Sequence, residues 1–382
     1  MRKIVLSKDG IITGKGSLSY LASISYKKAF VVTGGNSMKR AGVIDRVMDY
    51  LKEAGCEGIL HDGITKNPSI EEVMEGVAHM KEINPDVIIA VGGGSAMDAA
   101  KGMLLFYEFP ELNFENVLEK NSQGLIPAKR NTGLICVPST SGTGSEVTRG
   151  TVITDTAKEL KVPIMTDCLR PDLAILDVDI VMTMPYSVAA ETGMDALTHA
   201  IEAYTNHNLE EFNEAICKGA IVGIMKYLKQ SCEEKDETAR EKVHYYQAMA
   251  GIGFANIGLG MVHGIAHSFG AIYDMAHGLT NAIILPYVLE YNRRDEKVAA
   301  KLEELSYACR CQDIVEEIDK LKAELHIPVS FKEAGITEEM YLEKRKLIIE
   351  HAMLGATNVN PVKMDKESIT KMVDLVYYGE EN

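Results

Sequence analysis

Short apolar runs alternate with amphipathic stretches through the first half of the chain, and helical periodicity takes over in the second. Lys28–Thr33 (KAFVVT), Asp86–Val91 (DVIIAV) and Thr132–Val137 (TGLICV) are brief, apolar and rich in β-branched residues. That is the pattern of strands buried on both faces of a parallel sheet. Between the first two, Gly42–Ala54 and Glu71–Ile83 read as helices, and the alternation predicts right-handed βαβ units. Lesser strands are expected at KIVLS and GIITG, turned by Asp9-Gly10, and at GILHDG, TVIT, KVPIM and LAILD. SLSYLASIS reads as a helix. Beyond Asp179–Tyr186 (DIVMTMPY) strand candidates become few, and Ala189–Ala203, Glu211–Gln230, Ala239–Ala255 and Val298–Leu325 all have helical spacing. The expected fold is an α/β domain with a parallel sheet over residues 1–180, followed by an all-helical domain over 181–382.

Composition narrows the class. A chain of 382 residues suits two domains, and 46% hydrophobic with 25% charged residues fits a soluble protein. A net charge of −15 argues against a nucleic-acid partner, whose footprint would be basic. No apolar run reaches the ~20 residues that span a bilayer, and the start, MRKIVLSKDG, lacks the apolar core of a signal peptide. A cytoplasmic protein without a membrane partner is expected. The seven cysteines are odd in number, scattered and without CxxC spacing, so ordinary reduced thiols are expected rather than disulfides or a thiolate zinc site.

Three loops at strand ends are candidates for binding a dinucleotide. Gly92-Gly93-Gly94-Ser95 follows DVIIAV and opens a helix, where close backbone approach and unpaired N–H groups suit a pyrophosphate. Its spacing is not the GxGxxG fingerprint. Ser139 to Glu146, after the strand at TGLICV, offers five hydroxyl side chains and two glycines. The plainer reading of that loop is a Ser/Thr turn capping a helix. At the first strand, Gly34-Gly35-Asn36-Ser37 lacks the acidic residue that would bind a ribose 2′-hydroxyl. Gly34 and Ser37, with Lys39 nearby, leave room and donors for a 2′-phosphate, favouring NADP(H) over NAD(H).

The second half carries metal-type chemistry. Asp195 and His199, in GMDALTHAIEAY, are four apart, as are His263 and His267 in GMVHGIAHSFGAIYDMAHG, so each pair shares a helix face. His277 lies beside a glycine, at a turn feeding a further helix. Any one of these histidines alone would read as a satisfied core residue. Together Asp195, His199, His263 and His277 make a one-carboxylate, three-imidazole set suited to Fe²⁺ or Zn²⁺, with a position open for substrate. His267, one turn on, would line the same cavity.

These words, with GGGSAMDAAK, PSTSGTGSEVT and GLGMVHGIAHSFGAIYDMAHGLTNAIILP, resemble the iron-dependent (group III) alcohol dehydrogenase family from end to end. The resemblance implies a dinucleotide-binding domain, a helical metal-binding and catalytic domain, and an active site in the cleft between them. It implies metal ligation by Asp195, His199, His263 and His277. Cofactor contacts are implied at Gly93, Gly94, Ser95, Thr140, Ser141 and Thr143, with Asn67 and Lys161 as further cofactor-facing positions. Phe254 matches a position near the substrate, and His267 is the candidate catalytic proton relay. The chain departs from NAD-preferring members at Gly34, where they have Asp. The implied activity is reversible hydride transfer between a small primary alcohol or diol and its aldehyde, in a homodimer. The alternative is a reductase of a functionalised aldehyde such as lactaldehyde, sulfoacetaldehyde or succinic semialdehyde; a glycerol-dehydrogenase-like enzyme or a non-enzymatic assembly fits less well.

Overall fold

In the computed structural model, which describes residues 4–157 and 160–380, six strands form one parallel sheet in the order β1-β8-β5-β4-β2-β3. They are β1 (Gly10–Thr13), β2 (Lys28–Gly34), β3 (Glu57–Ile64), β4 (Val87–Gly92), β5 (Gly133–Pro138) and β8 (Leu173–Leu176). The central strands are buried on both faces, as their unbroken apolar runs require. Phe30, Val32, Ile88, Ala90 and Leu134 pack on one side with Val73, Val77, Met97 and Met103. Ala29, Val31, Ile89, Val91 and Ile135 pack on the other with Val43, Ile44, Val47 and Leu51. The covering helices are α1 (Val43–Glu53), α2 (Ile70–Ile83) and α3 (Gly94–Glu108).

Strand order reverses between β2 and β4: β3 lies outside β2, while β5 lies on the far side of β4. In open parallel sheets ligands bind outside the carboxyl ends of the strands at such a reversal. Gly34 ends β2, Gly92 ends β4 and is in register with Pro138 at the end of β5, and Thr33 is in register with Val91. The three candidate loops therefore leave the sheet side by side.

Several expectations needed correction. Ile4–Ser7, most of KIVLS, is not a strand, and Lys3 lies outside the described residues. No hairpin forms at Asp9-Gly10; GIIT instead pairs in parallel with β8, an alignment extended by Asp9 N–H donating to Asp172 O at 2.8 Å. SLSYLASIS forms a 3₁₀ helix over Ser17–Ser23, its start held by Asp177, which accepts from the Gly16 and Leu18 N–H groups at 3.0 and 2.9 Å. TVIT and KVPIM stay out of the main sheet: β6 (Gly150–Asp155) and β7 (Leu160–Met165) form their own antiparallel pair. The short connection between them rules out a parallel crossover, which needs a dozen or more residues.

The chain divides into two units, Met1–Met184 and Pro185–Asn382. The second is helical: α4 (Tyr186–Thr205), α5 (Glu211–Glu233), α6 (Glu237–Ile257), α7 (Met261–Tyr273), α8 (His277–Asn292), α9 (Glu296–Cys309), α10 (Ile314–Glu324), α11 (Glu338–Ala352) and α12 (Lys366–Tyr378). The single helix expected over Val298–Leu325 is two. Arg310 closes α9 in the left-handed conformation at φ 60°, and Asp313 restarts the chain by accepting from the Val315 and Glu316 N–H groups. Among the described residues no single helix is long and apolar enough to cross a membrane.

One buried cation organises the loop side of the first unit. Lys101, on α3, donates from Nζ to Ser145 O (2.6 Å), Ser145 Oγ (2.9 Å), Gly150 O (2.9 Å) and Thr148 O (3.0 Å). Burial holds its ammonium below the usual lysine range, opposed by Asp98 and Glu146. Lys101→Met would remove the ammonium donor from those oxygens. The expected loss is about 3 kcal/mol of stability, read from urea unfolding; an unchanged midpoint would show that the segment holds itself.

Candidate functional site

In the first unit, the Gly92–Ser95 loop and the hydroxyl loop are packed together. A Cβ on Gly94 would come within 2.8 Å of Thr143 Cγ2, so a side chain there would push the two loops apart. Ser139 N–H donates to Gly92 O at 2.8 Å, and Ser145 N–H to Thr143 Oγ1 at 3.2 Å. Gly93, Gly94 and Ser95 thus sit at the amino end of α3 beside Thr140, Ser141 and Thr143. Helix N-termini of this kind favour anions. The β6–β7 pair extends the group. Thr154 N–H donates to Pro68 O at 2.8 Å, and Lys161, in register with Thr154, donates to Asn67 Oδ1 at 3.0 Å. Asn67, left-handed at φ 59°, donates its N–H to Ser95 Oγ at 3.4 Å. Gly34 lies at the same strand-end edge, and Ser37, itself exposed, opens a single helical turn, Ser37–Arg40, after β2. Lys39 is paired with Asp62 rather than projecting alone.

In the second unit, α4, α7 and α8 bring together Asp195, His199, His263 and His277. One ligand atom from each lies within 4.8 Å of the others. Spacing explains the local part: Asp195 and His199 are one turn apart on α4, with His199 Nδ1 at 3.9 Å from Asp195 Oδ2. Helix packing explains the rest. Gly278 sits so close to α4 that a Cβ would meet Glu191 O at 2.2 Å, and this approach sets His277 Nε2 at 3.7 Å from Asp195 Oδ1. The His199 and His263 rings stack with centroids 4.6 Å apart.

The donor chemistry fits a metal ion. Asn281, one turn after His277, places Nδ2 at 2.7 Å from Asp195 Oδ1, 3.1 Å from His263 Nε2 and 3.2 Å from His277 Nε2, so the lone pairs of three residues converge on one small region. An ion with bonds of about 2.1 Å holds its ligand atoms roughly 3–4 Å apart, and a slight closing of the group would reach this. Burial, reinforced by the neighbouring imidazoles His199, His277 and His267, holds His263 well below the usual histidine range. It is therefore neutral at pH 7, the form that can act as a ligand. Burial pushes the Asp195 carboxyl up, against His199 and the Asn281 hydrogen bond. A cation at this place would offset both costs.

Two neighbours complete the surroundings. His267 is outside the four-residue set; its ring stacks on His277 at 5.2 Å and meets His263 edge-on at 6.0 Å. Phe254, on α6, stacks on His199 at 4.4 Å. The residue that sequence reasoning missed is Glu202. Its Oε2 lies 2.5 Å from His263 Nδ1, and its Oε1 accepts from Val262 N–H at 2.8 Å. Burial pushes this carboxyl up to about 8, opposed by the backbone N–H groups of Val262, Gly260 and His263. A signal existed, because Asp195, His199 and Glu202 follow i, i+4, i+7 spacing along one face of α4.

A loop-edged parallel sheet in one unit and a converging, mostly buried set of one Asp and three His in the other are the parts of a dehydrogenase. Comparison of the sequence points the same way. Residues 9–178 match the iron-containing alcohol dehydrogenase family, and residues 189–377 match the C-terminal family of Fe-containing alcohol dehydrogenases. The chain belongs to the iron-containing alcohol dehydrogenase family and is an oxidoreductase that interconverts alcohols and aldehydes. It is 41% identical to an NADPH-dependent butanol dehydrogenase of Clostridium saccharobutylicum, with 100% of this chain and 99% of that one covered. It is 36% identical to an alcohol dehydrogenase of Thermococcus barophilus, over 97% and 98% of the two chains. The iron-containing alcohol dehydrogenase structure from Thermococcus thioreducens superposes with a TM-score of 0.90 at 34% identity, covering 100% of both chains.

Metal binding is expected to stabilise the protein. Adding Fe²⁺ or Zn²⁺ at a thousand times its Kd to chelator-treated protein should raise stability by about 4 kcal/mol, read as a rise in Tm. Asp195→Asn should abolish most of the rise. A Tm insensitive to both ions would remove the metal assignment.

Proposed function

We propose that this enzyme reduces short aldehydes to primary alcohols, and runs the reverse oxidation, with NADP(H) and a divalent iron held by Asp195, His199, His263 and His277. The observation that carries the reading is the convergence of His263 Nε2, His277 Nε2 and Asp195 Oδ1 around one point, with His263 kept neutral by burial. One carboxylate and three neutral imidazoles leave a divalent ion net positive, so that when bound it supplies Lewis-acid polarisation of a substrate oxygen. The hydride chemistry belongs to the nicotinamide.

The chain's own residues bind and orient. In this reading Gly93, Gly94 and Ser95 cradle the pyrophosphate on the amino end of α3. Thr140, Ser141 and Thr143 donate hydroxyl hydrogen bonds to the cofactor, and Lys161 holds Asn67 against it. Phe254, stacked on His199, gives the substrate an apolar wall. His267, stacked on His277, moves the proton between the substrate oxygen and solvent. The small side of Gly34 and the hydroxyl of Ser37 admit a 2′-phosphate, in keeping with the NADPH dependence in the name of the C. saccharobutylicum relative. A homodimer is part of the proposal, because β1 is an edge strand that a second copy can pair with.

The test is an anaerobic assay of iron-reconstituted enzyme on a panel of short aldehydes with NADPH and NADH. Turnover should depend on added metal, prefer NADPH, and fall at least 1,000-fold, on the order of 4 kcal/mol of barrier, in His263→Ala. A carboxylate at the helical turn after β2 would repel a 2′-phosphate, so Ser37→Asp is expected to cut the NADPH/NADH ratio of kcat/KM about tenfold, on the order of 1.4 kcal/mol. Gly34→Asp is a less clean probe, since a Cβ there would sit 3.0 Å from Ile64 O. Equal use of both cofactors by the unaltered enzyme would refute the NADP assignment, and metal-independent turnover would refute the site.

A further inference from the structure

Glu202 is buried, on α4, and faces the first turn of α7. Its Oε1 accepts from Val262 N–H at 2.8 Å and would lie 3.0 Å from a Cβ on Gly260. Its Oε2 takes the His263 Nδ1 contact at 2.5 Å. The first N–H groups of a helix have no partner within it, and here they face a carboxyl group from another helix. Asn360 completes the turn by accepting from Met261 N–H at 3.2 Å, and is itself held by Asn292, to whose Oδ1 it donates at 2.7 Å. One carboxylate therefore grips both the backbone of the turn and the side chain of the histidine on it.

This double grip has a chemical consequence. A cation at this centre would favour the ionised form of Glu202; with Nδ1–H then engaged by the carboxylate, the neutral imidazole of His263 presents a bare Nε2, the atom that faces Asp195, His277 and Asn281. An outer carboxylate on a ligating histidine fixes its tautomer and ring orientation and raises its basicity. Resting on the metal reading above, we propose that Glu202 is a positioning residue of the metal centre: through His263 it sets which nitrogen faces the ion, and through the first turn of α7 it sets where that nitrogen sits.

Glu202→Gln separates this role from that of a helix cap. Glutamine keeps a carbonyl oxygen for Val262 N–H, but turns an NH₂ donor toward His263 Nδ1. To accept from it, Nδ1 must lose its proton, which moves to Nε2, the atom the ion needs. Co²⁺ is the probe, titrated into chelator-treated full-length protein and followed by its visible d–d absorption. Wild type should bind Co²⁺ with a distinct visible spectrum, and Glu202→Gln should bind it 10- to 100-fold more weakly with an altered spectrum. The Tm of the two metal-free proteins should stay close. An unchanged Co²⁺ affinity and spectrum in Glu202→Gln, with a lowered metal-free Tm, would overturn the proposal and leave Glu202 a helix cap. Wild type that takes up no Co²⁺ would overturn the metal reading and this proposal with it. Asp195→Asn, expected to lose Co²⁺ outright, marks the difference between a ligand and its support.

Discussion

A carboxylate and two imidazoles are buried together in the helical unit, with the half-buried His277 beside them, and each of the buried groups would be costly to bury alone. Asp195 and His263 are 2% and 1% exposed, in surroundings of Met194, Leu197, Met261 and Val262. Such a group persists in an apolar interior only when its polar atoms find partners in one another, in nearby amides and carboxylates, or in a cation. Much of α4, α7 and α8 follows from that constraint. Glycine at 278 lets α8 close on α4, and glycine at 264 lets α7 close on Thr357, where a Cβ would meet Oγ1 at 1.9 Å. The helices approach one another at small residues so that long polar side chains can meet between them.

The first unit meets a different demand. The loops proposed to hold the cofactor's phosphates lie at the ends of buried strands, and such loops need support from beneath. Lys101 gives it: a single ammonium satisfies carbonyls of three residues that the short strands cannot pair. The cost is desolvation of the amine, visible as its depressed pKa. Four carbonyl and hydroxyl contacts at 3.0 Å or less offset part of it.

How much of this was legible in the sequence depended on range. Periodicity located the central strands and most of the helices, because a strand buried on both faces or an amphipathic helix writes its environment into its own residues. DVIIAV could hardly be anything else. What escaped were choices made between distant segments. GIIT had a turn signal before it and still paired with β8, some 160 residues away, because that edge was available. TVIT and KVPIM looked like sheet strands one by one, and only the short link between them forced the antiparallel pair. Asp313 was a readable start signal for α10, but an unbroken helical pattern across 298–325 masked it.

The candidate site shows the same division. Residues four apart on one helix were readable as shared faces, and Asp195 with His199 and His277 at a helix start are placed as that spacing implies. His267 shares a face with His263 by spacing, yet sits against His277 instead of in the ligand set. A helix face is broad enough that neighbours one turn apart can serve different partners. Glu202 was hidden for the opposite reason. A glutamate in a helix is ordinarily solvated, and its i, i+4, i+7 spacing with Asp195 and His199 places it on their face without showing that its carboxyl is enclosed by the start of another helix. Its partner, the Gly260–His263 turn, lies 58 to 61 residues further along the chain. Ligands announce themselves by type; the groups that aim them are recognisable only once the helices are packed, since any acidic or amide residue at the right point in space will serve.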